Sequence, residues 1–197
     1  MGYLVSEIKK SKLAVTGFVM VGSLILIAIL GPLLWPLDPF EIDLDLVIEA
    51  PYGPKAPSSA HPFGTDDLGR DLLARVIYGA RVSLQVGILA MLIAGTIGIT
   101  LGVVAGYFGG WVDTAVTWLM DTAFAFPAAL LAIGVMAIVP NPSVFWIFTV
   151  LGLIGWAGIA RVVRGKVLAV KEEEFVDAAK AMGSGHIRIM FIHILPN

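Results

Sequence analysis

Three groups of residues in this 197-residue chain have types and spacings that could do chemistry. The first is Glu174-Phe175-Val176-Asp177-Ala178-Ala179-Lys180-Ala181-Met182-Gly183. Phe175, Ala178, Ala179 and Met182 recur at i, i+3, i+4 and i+7, which predicts one apolar stripe on a short helix. Gly183-Ser184-Gly185 ends it, and a second stripe follows at Ile187, Met190 or Phe191, and Ile194. A helix, a glycine turn and a second helix suit docking into a partner's groove, or equally a loop folded onto its own bundle. The second group is Asp121, the only ionisable residue expected well inside a membrane span, ~10 Å deep at the helical rise. A charge there is costly and faces a protein interior or a wet cavity. Asp121 is thus either part of a polar translocation route or a carboxylate near the interface, capped by Thr117 or Thr122 or paired with a base. The third is His61-Pro62-Phe63-Gly64-Thr65-Asp66-Asp67-Leu68-Gly69-Arg70-Asp71. Thr65 reads as an N-cap with Asp66 and Asp67 in the first helical turn. Asp67–Arg70 and Asp71–Arg75 are spaced to pair, and Leu68, Leu72 and Val76 share one side. This predicts an amphipathic helix at about 66–80. His61, His186 and His193 lack metal-ligand spacing, so no metal site and no catalytic residue is expected.

The elements that position these groups follow from where charge is missing. Only 14% of the residues are charged and 58% are hydrophobic, with a mean hydropathy of +0.90. Such a chain cannot hide its apolar surface as a soluble globule or remain disordered. The net charge of −2 excludes nucleic-acid binding by bulk charge. Zero cysteines exclude disulfide scaffolds, zinc ribbons and iron–sulfur sites. Leu13–Leu37, Val82–Val112 and Thr122–Ala160 carry no charge over 25, 31 and 39 residues. A span needs about 20 apolar residues, and Pro140-Asn141-Pro142 divides the longest run. Spans are therefore predicted at 13–35, 84–107, 114–139 and 143–163, giving an all-α membrane protein, a polytopic helical bundle with four transmembrane helices.

Charge also orients the bundle. Residues 1–12 have net +2, the loop 36–83 is acidic with net −4 over 36–81, and 161–197 have net +2. The positive-inside tendency puts both termini in the cytoplasm, with 1–12 and 164–197 inside and 36–83 outside. The first apolar run is too long for a signal-peptide core and lacks a small-residue cleavage site. In the second span Ala90, Ala94, Gly98, Gly102, Gly106 and Gly110 recur every fourth residue, a stripe on which another helix can approach closely.

The Asp-Ala-Ala, three residues, Gly, nine residues, His-x-Leu-Pro pattern from Asp177 to Pro196 resembles the EAA loop of permease subunits of ATP-binding-cassette importers. Asp177 stands where that family usually has Glu. The words HPFGTDDLGRDLLARVIYGAR (61–81), GYFGGWV (106–112), Ala125-Phe126-Pro127 and ARVVRG (160–165) look like the second, C-type permease of the dipeptide, oligopeptide and nickel branch, over essentially the whole chain.

The resemblance implies a type I importer fold and a non-enzymatic permease subunit. It pairs as a heterodimer with a second permease subunit in the lipid bilayer of a bacterial or archaeal plasma membrane. It works with two cytoplasmic ATPase subunits and an extracytoplasmic substrate-binding protein. Glu174, Phe175, Asp177, Ala178, Ala179, Met182 and Gly183 would form the ATPase-coupling helix. ATP would be bound by the partners and no cofactor by this chain. This agrees with the lack of a G-x-x-x-x-G-K-[ST] loop, since Ala160 occupies the first glycine position ahead of Gly165-Lys166. Members usually have six spans, so the last two are expected to be missing here and the pathway to be incomplete. The alternative is a truncated, non-transporting membrane scaffold or assembly subunit. An intramembrane enzyme would need paired catalytic groups at depth, and only Asp121 is expected there.

Overall fold

The computed structural model describes residues 11–49 and 53–197. Lys9 and Lys10, which contribute to the charge bias of the N-terminus, lie outside the described residues. The regular elements are α1 (Lys12–Leu34), α2 (Leu44–Glu49), α3 (Leu72–Phe108), α4 (Gly110–Ala125), α5 (Ala128–Ile138), α6 (Val144–Val170), α7 (Glu174–Ala181) and α8, a turn His186–Arg188 continuing into π-helical Ile189–Ile194. Among the described residues, the isolated bridge between Thr65 and Asp71 is the one β feature. By length and composition α1, α3 and α6 can each cross a membrane, and the bent pair α4–α5 makes a fourth candidate if it acts as one span. The protein is an all-α membrane protein.

Two compact units meet within α3, one ending at Gln85 and the other running from Val86 to Asn197. In the first, α1 is capped by the Ser11 hydroxyl, which accepts from the Ala14 amide at 3.3 Å. The helix buries only Ala28 and Gly31, consistent with an apolar helix whose surface is solvated by lipid or another helix. Gly31 permits the close approach of α3: a Cβ there would lie 2.6 Å from Ile77 Cγ2. Between α1 and α3 the chain forms α2, capped by Asp43, whose carboxylate accepts from the Leu46 amide at 3.1 Å.

The start of α3 corrects the sequence reading. The expected helix at 66–80 does not begin at Thr65. Thr65 is fully buried, and its hydroxyl accepts from the Lys55 amide at 3.2 Å. Gly64 and Gly69, at φ +76° and +75°, fold 64–70 into a tight turn, and the cap is Asp71, which accepts from Ala74 at 2.6 Å. From Leu72 the helix then continues without interruption through the expected second span. The ion pairs also differ: Asp66, not Asp67, holds Arg70 at 2.7 Å and reaches Arg75 at 3.5 Å.

In the second unit the glycines of α3 pack on α6. A Cβ at Gly98 would meet the Trp156 carbonyl at 2.6 Å, one at Gly102 the Ala160 carbonyl at 2.6 Å, and one at Gly106 Val167 Cβ at 2.8 Å. Toward the start of this seam Ala94 is buried, and Gly152 of α6 lies against Ile93 and the Ala90 carbonyl. Backbone contact this close needs positions without side chains. Gly110 departs from the expected stripe: α3 ends at Phe108, and Gly109 and Gly110, at φ +65° and +54°, turn the chain into α4 with nothing near Gly110.

Over the expected span 114–139 the chain forms two helices and not one. Helices α4 and α5 meet at 81° across Phe126-Pro127. Phe126 is extended (φ −98°, ψ 132°), the conformation forced on a residue before proline, and Pro127 has no amide to continue the α4 ladder. The last long helix runs to Val170, seven residues beyond its expected end at 163.

Candidate functional site

The segment after α6 is built on a small buried core. Val176 and Ala179 of α7, at 0% and 2% exposure, pack with Val103 of α3, Val167 of α6 and Ile189, Met190 and Ile194 of α8. Burial of these side chains, not helix propensity, holds an eight-residue helix together. The buried pair of α7 is therefore Val176 and Ala179, and the expected apolar stripe of Phe175, Ala178, Ala179 and Met182 is buried only at Ala179. Of these only Ala179 faces the core; Ala178 is exposed, Phe175 is 40% exposed and Met182 78%. The same correction applies to α8, where Ile189, Met190 and Ile194 are buried and Ile187 is 73% exposed.

The end of α7 is fixed by its glycine. Gly183 sits at φ +80°, its amide donates to the Lys180 carbonyl at 2.9 Å, and the Ser184 amide donates to the Ala179 carbonyl at 3.1 Å. This pair of bonds is the left-handed helix stop that only glycine adopts without strain. Glu174 and Asp177 lie in the first turn, where the helix dipole favours acids. Lys180 donates to Asp177 at 2.9 Å, and that hydrogen bond holds its ammonium above the ordinary lysine range. The exposed surface of α7 thus combines Phe175, Ala178 and Met182 with a fringe of charge.

Beyond the glycine turn, the His186 ring is held by α3. Tyr107 Oη and His186 Nδ1 are 2.8 Å apart, and the His186 ring lies 5.7 Å from the rings of both Tyr107 and Phe108.

Asp121 is paired. Arg161 of α6 donates to it at 2.6 Å and also lies 4.3 Å above the Phe124 ring. Arg161 is thus a base for the pairing weighed from sequence, while Thr122 bonds the Trp118 carbonyl instead of capping Asp121. A second pair, absent from the sequence reading, lies nearby: Arg164 clasps Asp113 through Nε and Nη2. Its signal was one acid in the first turn of α4 and one base in α6, too far apart in sequence for local pairing rules to link.

The 36–71 loop carries a further cluster that local spacing could not reveal. Asp71 receives His61 Nδ1 at 2.9 Å, Trp35 Nε1 at 3.0 Å and the Ala74 amide, while His61 Nε2 lies 3.6 Å from Asp43. Burial pushes the Asp71 carboxyl up, but the donors from Ala74, His61 and Trp35 outweigh it and leave it below the usual carboxylate range. Burial acts likewise on Asp66 and is outweighed by hydrogen bonds from Arg70 and Leu68. Among the described residues no group of three or more His, Asp or Glu is arranged to hold a metal ion.

The described residues thus form a helical membrane bundle with a short amphipathic helix, α7, after its last long helix. Comparison with known proteins gives the family. Residues 98–197 match the model of the binding-protein-dependent transport system inner membrane component, and residues 5–57 match the N-terminal TM domain of oligopeptide transport permease C. The chain belongs to this family of transport permeases. It is 44% identical over 97% of its length to a dipeptide transport system permease protein of Alkalihalophilus pseudofirmus, covering 60% of that relative. It is 36% identical over 96% of its length to an oligopeptide transport system permease protein of Bacillus subtilis, covering 60% of it. With a glutathione transport system permease protein of Pectobacterium atrosepticum it shares 38% identity over 95% of its length and 60% of the relative's. The chain thus spans about three fifths of these relatives.

Proposed function

We propose that this chain forms part of the transmembrane pathway of an ATP-driven peptide importer and that α7 is where cytoplasmic ATPase subunits engage it. The observation that carries the reading is the division of α7 into two faces. Val176 and Ala179 are sealed against α3 and α6, while Ala178 and Met182, with part of Phe175, stay exposed on the adjacent face. An apolar face anchored this firmly and left exposed by the described residues fits a groove on a partner. Peptides are the favoured substrate class because the relatives are named for dipeptide, oligopeptide and glutathione transport. A second permease subunit, two ATPase subunits and an extracytoplasmic binding protein complete the assembly. The surplus of basic residues over 161–197 supports placing α7 in the cytoplasm, with the N-terminus on the same side and the acidic 36–83 loop outside. Family membership and the apolar spans support an inner-membrane location.

Ala178→Asp tests the reading. Position 178 is exposed, so the added charge spares the fold, whereas Gly183→Asp would also strain a φ of +80°. The variant is expected to insert normally and lose co-purification with the ATPase subunit. Unchanged association would sink the proposal.

A further inference from the structure

The inference concerns how α7 is held, and it rests on the reading of α7 as the ATPase-docking helix. A force applied to its exposed face can move the bundle only if the segment does not simply give way. On its N-terminal side α7 follows α6 directly, with three residues between Val170 and Glu174. On its C-terminal side the chain passes through Gly183, Ser184 and Gly185, a link with few side-chain restraints. The first residue beyond that link is His186, joined at 2.8 Å to Tyr107 on the last turn of α3 and tilted against the Phe108 ring at 5.7 Å. Tyr107 also packs against the core that buries Val176 and Ala179. The glycine link is thus bridged by a side-chain contact to α3, one residue beyond Gly106, where α3 touches α6.

We infer that Tyr107 and His186 are positioning residues: their hydrogen bond clamps the far side of the docking segment to α3, so that α7, α3 and α6 move as one body when the ATPase subunits close. Without the clamp the segment is held to α3 only through the core of Val103, Val176, Ala179, Ile189 and Met190, and α7 shifts against α3 under load.

The test uses the assembled transporter in lipid nanodiscs, with spin labels at Met91→Cys on α3 and Met182→Cys beside α7, both exposed positions in a chain without native cysteine. With the native pair, the label-to-label distance is expected to stay narrow and unchanged on adding a non-hydrolysable ATP analogue. With Tyr107→Phe, which keeps the ring and removes the hydroxyl, the distance should broaden and shift on nucleotide. Transport of dialanine per ATP hydrolysed should fall about fivefold, the worth of one ordinary hydrogen bond. Exchanging the partners, Tyr107→His with His186→Tyr, should restore the narrow distance. A Tyr107→Phe variant with a narrow, nucleotide-insensitive distance overturns the clamp. So does one that loses ATPase association, since the residue would then serve docking itself. If the native chain does not bind the ATPase subunit at all, the docking reading fails before the clamp is reached.

Discussion

Arg164 grips Asp113 with two parallel hydrogen bonds, Nε to one carboxylate oxygen and Nη2 to the other at 2.6 Å, across 51 residues of chain. Both side chains are largely shielded from solvent, and the pair ties the first turn of α4 to α6 beside the Gly106 contact. Removing one member leaves the other charged and poorly hydrated.

Arg164→Ala is therefore expected to lower stability by on the order of 3 kcal/mol. Exchanging the charges, Asp113→Arg with Arg164→Asp, should recover part of the loss. Thermal unfolding of the purified protein in detergent reads both; a single variant that melts with the native protein would show the pair to be dispensable.

The glycine seam predicts a contrast between two similar changes. Gly102→Ala drives a methyl to 2.6 Å from the Ala160 carbonyl, so α3 and α6 must separate, at a cost of about 1–3 kcal/mol. Gly158→Ala meets nothing within 4 Å and should be neutral or stabilising by up to ~1 kcal/mol through helix propensity. Equal melting temperatures for the two variants would contradict the packing.

Acid should loosen the 36–71 loop. Asp66 and Asp71 both have folded-state pKa values below the ordinary carboxylate value. Their stabilisation is fully present above that ordinary value, about 3.9, and drains away as pH falls through the lower folded values. Limited digestion of the loop by an acid-stable protease should stay flat from pH 7 to about pH 5 and rise steeply below about pH 4. Asp71→Asn should raise cleavage already at pH 7, because the caps on Ala74 and His61 weaken.

The break between α4 and α5 should depend on Pro127. With Pro127→Ala the helical ladder can propagate, and a straight helix from Trp111 to Ile138 would span ~40 Å. Spin labels at those two exposed positions should move apart toward that value. An unchanged separation would assign the 81° bend to packing against α6 instead.

The first long helix was legible because a long apolar helix is specified by composition alone: it runs over Lys12–Leu34, where a span at 13–35 is expected. The seam glycines were legible because spacing of four maps onto one helix face. The register of α7 was not. With eight residues, both Phe175–Ala178–Met182 and Val176–Ala179 satisfy helical spacing, and only the neighbouring Val103 and Val167 decide which is covered. The helix start was misplaced for a similar reason. Thr65 and Asp71 are both good caps, and the choice went to the residue that could also collect Trp35 and His61 from distant segments. Pro127 was a visible breaker within the third charge-free run, yet Pro140-Asn141-Pro142 already accounted for that run's length. Ion pairs 40 and 51 residues apart lie outside any local rule.

The pairing of α4 with α6 bears on how the protein is made. Asp113 and Asp121 are synthesised 51 and 40 residues before Arg164 and Arg161. At ~5–20 residues per second each acid waits roughly 2–10 s for its base. During that interval a lone carboxylate in hydrocarbon is strongly disfavoured. The ion pairs that join α4 to α6 can therefore close only after α6 has been made. The order of translation thereby becomes a step in building the bundle.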